Sequence, residues 1–144
     1  MAETSNDEKL LPAIAELASG KNFAAVATVF PSGMIQNQIL WVGVRDGKIV
    51  LNTETHRKRF RNLSRDPRIT VLIRDEQDPG RYAEVRGEVS ETITGPAARE
   101  HINELARKYG GFEFPDSAIK SERVILVIKP HRQAVIDQNV DTSD

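Results

Sequence analysis

Six apolar runs, closely spaced and bounded by turn residues, constrain this chain more than any other feature. They cover residues 22–30, 34–44, 48–52, 68–74, 81–93 and 123–129. Pro31-Ser32-Gly33 and Arg45-Asp46-Gly47 are hairpin turns between the first three. The fifth run alternates, with Tyr82, Glu84, Arg86, Glu88 and Ser90 on one side and Ala83, Val85, Val89 and Glu91 on the other. Gly87 interrupts it as a bulge or a point of close backbone approach. Strands at this spacing, with few helices between them, predict an antiparallel sheet or barrel, mainly β with helices.

Two helices accompany the strands. Residues 7–19 place Leu10, Leu11, Ile14, Leu17 and Ala18 at helical spacing, with Gly20 as the stop. Thr94-Gly95-Pro96 opens another, whose apolar face is Ala98, Ile102, Leu105, Ala106 and Tyr109 and whose end is Gly110-Gly111. Residues 1–6 are polar and expected to fray, and residues 131–144 read as a polar tail. Residues 1–144 are expected to form a single domain, a length sufficient for a core.

Composition excludes several classes of chemistry. The absence of cysteine removes disulfides, thiolate catalysis and cysteine metal sites. The three histidines, His56, His101 and His131, have no metal-ligand spacing, and His101 is expected at the surface of its helix. No apolar run approaches a membrane span, the first residues lack a signal-peptide core, and a cytoplasmic location is expected. A net charge of -1 argues against a dedicated nucleic-acid binder. No serine-nucleophile motif, P-loop or GxGxxG is present.

Against that neutral background, residues 52–68, NTETHRKRFRNLSRDPR, concentrate Arg57, Lys58, Arg59, Arg61, Arg65 and Arg68 around only two acids, Glu54 and Asp66. Thr53 and Thr55 are candidate N-caps, Phe60 and Leu63 form one apolar stripe, and Asp66-Pro67 is a stop. Arg57, Lys58 and Arg59 then fall near a first helical turn, where free N–H groups and the helix dipole attract phosphate. A phosphate site and a plain solvated helix face both satisfy this pattern.

Five segments carry a family resemblance: FAAVATVFPSG, WVGVRDGKIVLNT, HRKRFRNLSRDPRITVLI, YAEVRGEVSE and RVILVIKP, together spanning residues 23–130. The chain resembles the split β-barrel flavin and deazaflavin oxidoreductases of the pyridoxamine 5′-phosphate oxidase-like superfamily, in particular the branch that binds coenzyme F420. The resemblance implies a six-stranded antiparallel split β-barrel of the FMN-binding type. It also implies a homodimer with two equivalent cofactor sites at the subunit interface. Arg57, Lys58 and Arg59 match the positions whose basic side chains meet the cofactor phosphate. Where F420-binding members commonly carry Lys two residues before the Arg of RNL, this chain has Arg59, a planar fork in place of a point charge.

Further cofactor contacts are expected from Asn52 and Thr53 at the end of the third strand, and from Gln36 and Gln38. The amides of Gln36, Asn37 and Gln38 match the pyrimidine edge of a flavin-type ring, although a solvent-facing strand accounts for them equally. Asn62 and Leu63 position the helix. Trp41 either lines a pocket or packs in the core or a dimer interface. His56 adjoins the basic cluster, and Arg86 is expected in an ion-pair ladder with Glu84 and Glu88.

The implied activity is hydride transfer between F420 and a small unsaturated or carbonyl-bearing organic substrate, with no catalytic acid or base identifiable from the sequence. Arg61 and Arg65 extend the charge as a long anionic tail requires, which favours F420 over FMN. An FMN enzyme of oxidase type on the same fold, a non-catalytic carrier of F420 or flavin, and an RNA-binding module using the basic helix are the alternatives.

Overall fold

The computed structural model describes residues 2–5 and 9–139. Among them the chain runs β1 (Ala2–Ser5), α1 (Pro12–Ser19), β2 (Ala24–Val29), β3 (Ile35–Leu40), β4 (Gly43–Arg45) and β5 (Lys48–Glu54). It continues through α2 (Lys58–Arg65), β6 (Arg68–Arg74), β7 (Arg81–Ile93), α3 (Pro96–Gly110) and β8 (Arg123–Asp137). All pairings are antiparallel and follow the path β3-β2-β6-β7-β8-β5-β4, with β1 beside β8. The two ends, β3 and β4, do not pair with each other, so the barrel is split.

The fold class is the expected one, and its strand count among the described residues is eight rather than six. The second run breaks at Trp41-Val42, because β3 pairs with β2 while β4 pairs with β5 at the opposite end of the path. Side chains of α3 satisfy the backbone at this break. The Val42 N–H donates to Tyr109 Oη at 3.1 Å, and Lys108 Nζ donates to the Val42 carbonyl at 2.5 Å. The eighth strand is β1, in the segment expected to fray. Its backbone pairs with β8 in register from Ala2↔Val135 to Ser5↔Arg132.

That same pairing corrects the expected tail. Residues 131–137 belong to β8, held by β7 on one side and β1 on the other; residues 140–144 lie outside the described ones. Helix α1 begins at Pro12, a residue suited to a first helical position, and residues 7 and 8 of the expected helix lie outside the described residues. Gly87 is both a bulge and a close approach. The register shifts between Arg86 and Gly87, and a Cβ on Gly87 would meet the Lys129 carbonyl oxygen at 2.2 Å.

The main core lies between α1 and the concave face of the sheet, around Ile14, Leu17, Ile49, Leu51, Val71, Ile73 and Leu126. Helix α2 closes one mouth through Leu63, buried, and Phe60, half-buried against that core. Fully burying a side chain such as that of Leu63 contributes roughly 1.5–3 kcal/mol. This apolar stripe fixes which way the basic residues of α2 face. Among the described residues, no helix is long and apolar enough to cross a membrane.

Candidate functional site

The basic helix follows β5 after a tight turn. Strand β5 extends to Glu54, so Thr53 lies inside the ladder and neither Thr53 nor Thr55 is the cap. Arg57 occupies the N-cap with extended backbone, and no side chain caps the helix. Arg57 and Lys58 are exposed, and Lys58 makes no side-chain bond among the described residues.

Arg59 turns inward. Its Nε–H donates to Thr53 Oγ1 at 3.0 Å and its NH1 to Gln38 Oε1 at 2.9 Å. No carboxylate among the described residues pairs with it. Burial disfavours its charge, the neighbouring Arg57 and Arg123 add to this, and Glu54 opposes it, so the guanidinium sits below its ordinary range while still protonated.

Three residues further along α2, Asn62 Nδ2 donates to Thr28 Oγ1 and Gln36 Oε1, each at 3.1 Å. Gln36 and Gln38 face α2, whereas Asn37 points to the other side of β3. Because Arg59 only donates, Gln38 must present its oxygen to it. The Gln38 NH₂ group then has no partner among the described residues. Asn62 ties the helix to the sheet.

Arg59 opens into a cavity of about 210 Å³, walled by Leu40, Trp41, Asn52, Ile102, Phe114 and Arg123 among others. Trp41 stacks on Tyr109, with ring centroids 5.4 Å apart and planes 3° off parallel. It is therefore both a packing residue and a pocket wall. Asn52 is buried and fully engaged: its Nδ2 donates to the Ala98 carbonyl and contacts His101 Nδ1, both at 3.0 Å, while its Oδ1 accepts from Arg123 Nε at 2.7 Å. His101 is thus buried, not at the surface as expected, because Asn52 supplies a buried partner for its ring.

Sequence reading missed Arg123 and its counter-ion, Glu54. Glu54 is 1% exposed, lies 3.3 Å from Arg123 NH1 and accepts the Lys120 backbone N–H at 3.0 Å. Its other oxygen has no hydrogen bond among the described residues and lies 3.2 Å from His56 Nδ1. His56 in turn meets Ser121 Oγ at 2.6 Å through the same ring nitrogen. The available signal was an acid ending an apolar strand inside an otherwise basic stretch. Two half-buried guanidinium groups, Arg59 and Arg123, therefore line the pocket, and Glu54 pairs with the second from behind its wall.

A larger groove of about 370 Å³ lies on the outward face of the sheet, beside Thr70, Arg68, Arg86 and His131. Its arginines are already paired, Arg68 with Asp66 at 2.6 Å and Arg86 with Glu84 at 3.0 Å, and the His131 ring lies 3.2 Å from Glu88. The expected ladder is therefore present for Arg86 and Glu84, while Glu88 turns to His131. Charge is satisfied there and unsatisfied at Arg59. Arg61 stays exposed without a side-chain partner among the described residues, and Arg65 donates to the Val29 carbonyl. No group of metal-ligating side chains occurs among the described residues.

The model of the pyridoxamine 5′-phosphate oxidase family matches residues 10–136. The chain belongs to that family. The family binds flavin. No curated protein matches the chain. Among solved structures, an F420 reductase is 26% identical, with a TM-score of 0.76 over 87% of this chain and 98% of that one. A conserved hypothetical protein from Mycobacterium tuberculosis is 22% identical, with a TM-score of 0.72 over 98% and 96%. The General Stress Protein 26 from Bacillus anthracis is 18% identical, with a TM-score of 0.66 over 86% and 91%. These last two likenesses bear on the fold alone.

Proposed function

We propose that this protein is an oxidoreductase that binds coenzyme F420 through the pocket beside Arg59 and acts on a small unsaturated or carbonyl-bearing substrate. One observation carries the reading: a half-buried guanidinium aimed by two neutral acceptors, Thr53 and Gln38, with no carboxylate among the described residues to neutralise it. Such a group needs an anion, and the phosphate of a cofactor supplies one. The residues present fit that group. Arg59 offers the directed donors, Arg57 and Lys58 add charge at the start of α2, and the helix N-terminus adds free N–H groups.

The bound cofactor supplies the hydride. The chain's part is to bind, orient and exclude water. Thr53 and Gln38 hold the Arg59 fork. Asn52 holds Arg123 at the pocket wall, and Trp41 gives that wall an apolar surface. Gln36 and Gln38 are the amides assigned to the ring edge, and Arg61 is the charge assigned to the anionic tail.

A homodimer with the cofactor between its subunits is part of the proposal. Ile35 and Ile39, on the side of edge strand β3 away from α2, are 60% and 68% exposed, an apolar surface that a second copy would cover.

FMN is the second reading, favoured by the flavin-binding family; the F420 reductase among the structural relatives favours F420. Titrating the purified protein with each cofactor at equal salt, followed by fluorescence, separates them. F420 is expected to bind more tightly. Equal or tighter FMN binding, or purification as a yellow protein, reverses the order. Light scattering tests the dimer, and a monomer that binds one full equivalent of cofactor excludes the shared site.

A further inference from the structure

A second cavity of about 210 Å³ lies between α3, the end of α1 and β4, bordered by Ser19, Gly43, Arg45, His101, Glu104 and Lys108. It shares Leu105 with the Arg59 pocket but uses a different face of α3. The proposed cofactor site makes no use of it.

The chemistry of this cavity follows from one amide. Arg123 only donates, so the Asn52 atom facing it is the oxygen. The Asn52 nitrogen therefore points at the Ala98 carbonyl and at His101 Nδ1. Nδ1 must accept, which places the proton of a neutral imidazole on Nε2. Burial, assisted by the charges of Arg45, Arg123 and Lys108, keeps the ring neutral by pulling its pKa down to about 4.

His101 is 3% exposed, and its Nε2–H has no partner among the described residues. That edge faces the cavity at Gly43, where a Cβ would lie 3.8 Å from Nε2. A buried donor directed into an open space is costly unless a ligand or water meets it.

The surrounding groups narrow the ligand. The Arg45 side chain makes no hydrogen bond or ion pair among the described residues, so its planar fork is available. Lys108 donates to the carbonyls of Ala18, Ser19 and Val42, which leaves it to act as a charge. Two cations and a neutral donor select an oxyanion. Glu104, exposed at the mouth, disfavours a dianion and can accept from a hydroxyl. We propose that this cavity binds the carboxylate of a small organic acid, with His101 Nε2–H and the Arg45 fork as donors and Lys108 as supporting charge.

The test follows the His101 Nε2 resonance of the ¹⁵N-labelled full-length chain while acetate, lactate or inorganic phosphate is added at constant ionic strength. Acetate and lactate are expected to give saturable shifts, with lactate the tighter because its hydroxyl reaches Glu104. Gly43→Ala should abolish the response. Its methyl would meet Leu105 and Val50 side chains at 3.5 Å, an ordinary contact, while filling the space before Nε2. Arg45→Gln, at a half-exposed position, should weaken binding about tenfold or more, and it carries the test if Gly43→Ala does not fold. No saturable shift, an equal response to chloride, or a response unchanged in Arg45→Gln overturns the site. A response to phosphate with none to acetate or lactate overturns the carboxylate assignment.

Discussion

Arg59 donates to Gln38 Oε1 at 2.9 Å across 21 residues of chain, and so joins the basic helix to edge strand β3. The contact aims a cation without neutralising it. Arg59→Ala should therefore lower cofactor affinity about tenfold to a hundredfold, the range for a charged hydrogen bond to phosphate. Lys58→Ala should cost less, since Lys58 is exposed. Fluorescence titration measures the loss, and circular dichroism confirms the fold. Unchanged affinity in both folded variants would show that α2 is only a solvated face.

Arg61 separates the two cofactors. Arg65 is tied to the Val29 carbonyl, but Arg61 has no side-chain partner among the described residues. Arg61→Ala should weaken F420, more so with longer glutamate tails and less so at high salt, because exposed charges are screened. It should leave FMN nearly unaffected. Titrations with F420 of defined tail length at two salt concentrations make the comparison, and an equal effect on FMN would remove Arg61 from the tail site.

Glu54 and Arg123 form a buried pair, 1% and 12% exposed at their side chains and 3.3 Å apart. Removing one partner strands the other, so Glu54→Ala should destabilise by about 3–5 kcal/mol. Glu54→Leu combined with Arg123→Met should recover much of that stability while still losing cofactor affinity. Urea unfolding of the single and double variants gives the two values. A double variant no more stable than Glu54→Ala would contradict the pairing account.

The strands, the two long apolar stripes and the placement of Arg57 to Arg59 at a helix start were legible because each rests on local periodicity or turn chemistry. The break at Val42 was not, because long-range bonds from Lys108 and Tyr109 satisfy its backbone. Nor was β1, whose polar residues carry no strand pattern and pair only because β8 offers an open edge. In the candidate site, Arg59 was legible as charge, but its direction was not. Thr53 looked like a cap and acts as an acceptor for Arg59. Arg123 and His101 were missed for the same reason: their roles depend on Asn52, which lies 71 and 49 residues away in the chain.

His101 also predicts how stability depends on pH. Its pKa is about 4 in the folded protein, against an ordinary 6.5 when unfolded, chiefly because burial disfavours the imidazolium. Between these values the unfolded chain holds a proton that the folded one does not. Stability from this group is fully present above about pH 6.5 and falls as the pH drops toward 4, by up to about 1.4 kcal/mol per pH unit. Asp66, lowered to about 2 chiefly by its Arg68 hydrogen bond, acts in a separate window below 3.8. Asp75 and Glu113 are also held below their ordinary values, by a backbone N–H and by Arg107 respectively, so their contributions are lost below 3.8 and 4.5. Between pH 5 and 6.5 the slope is therefore assigned to His101. Urea midpoints across that interval should rise with pH in the native sequence and flatten in His101→Gln, which keeps a polar side chain but cannot titrate. An equal slope in both proteins would mean that the proton is taken up elsewhere.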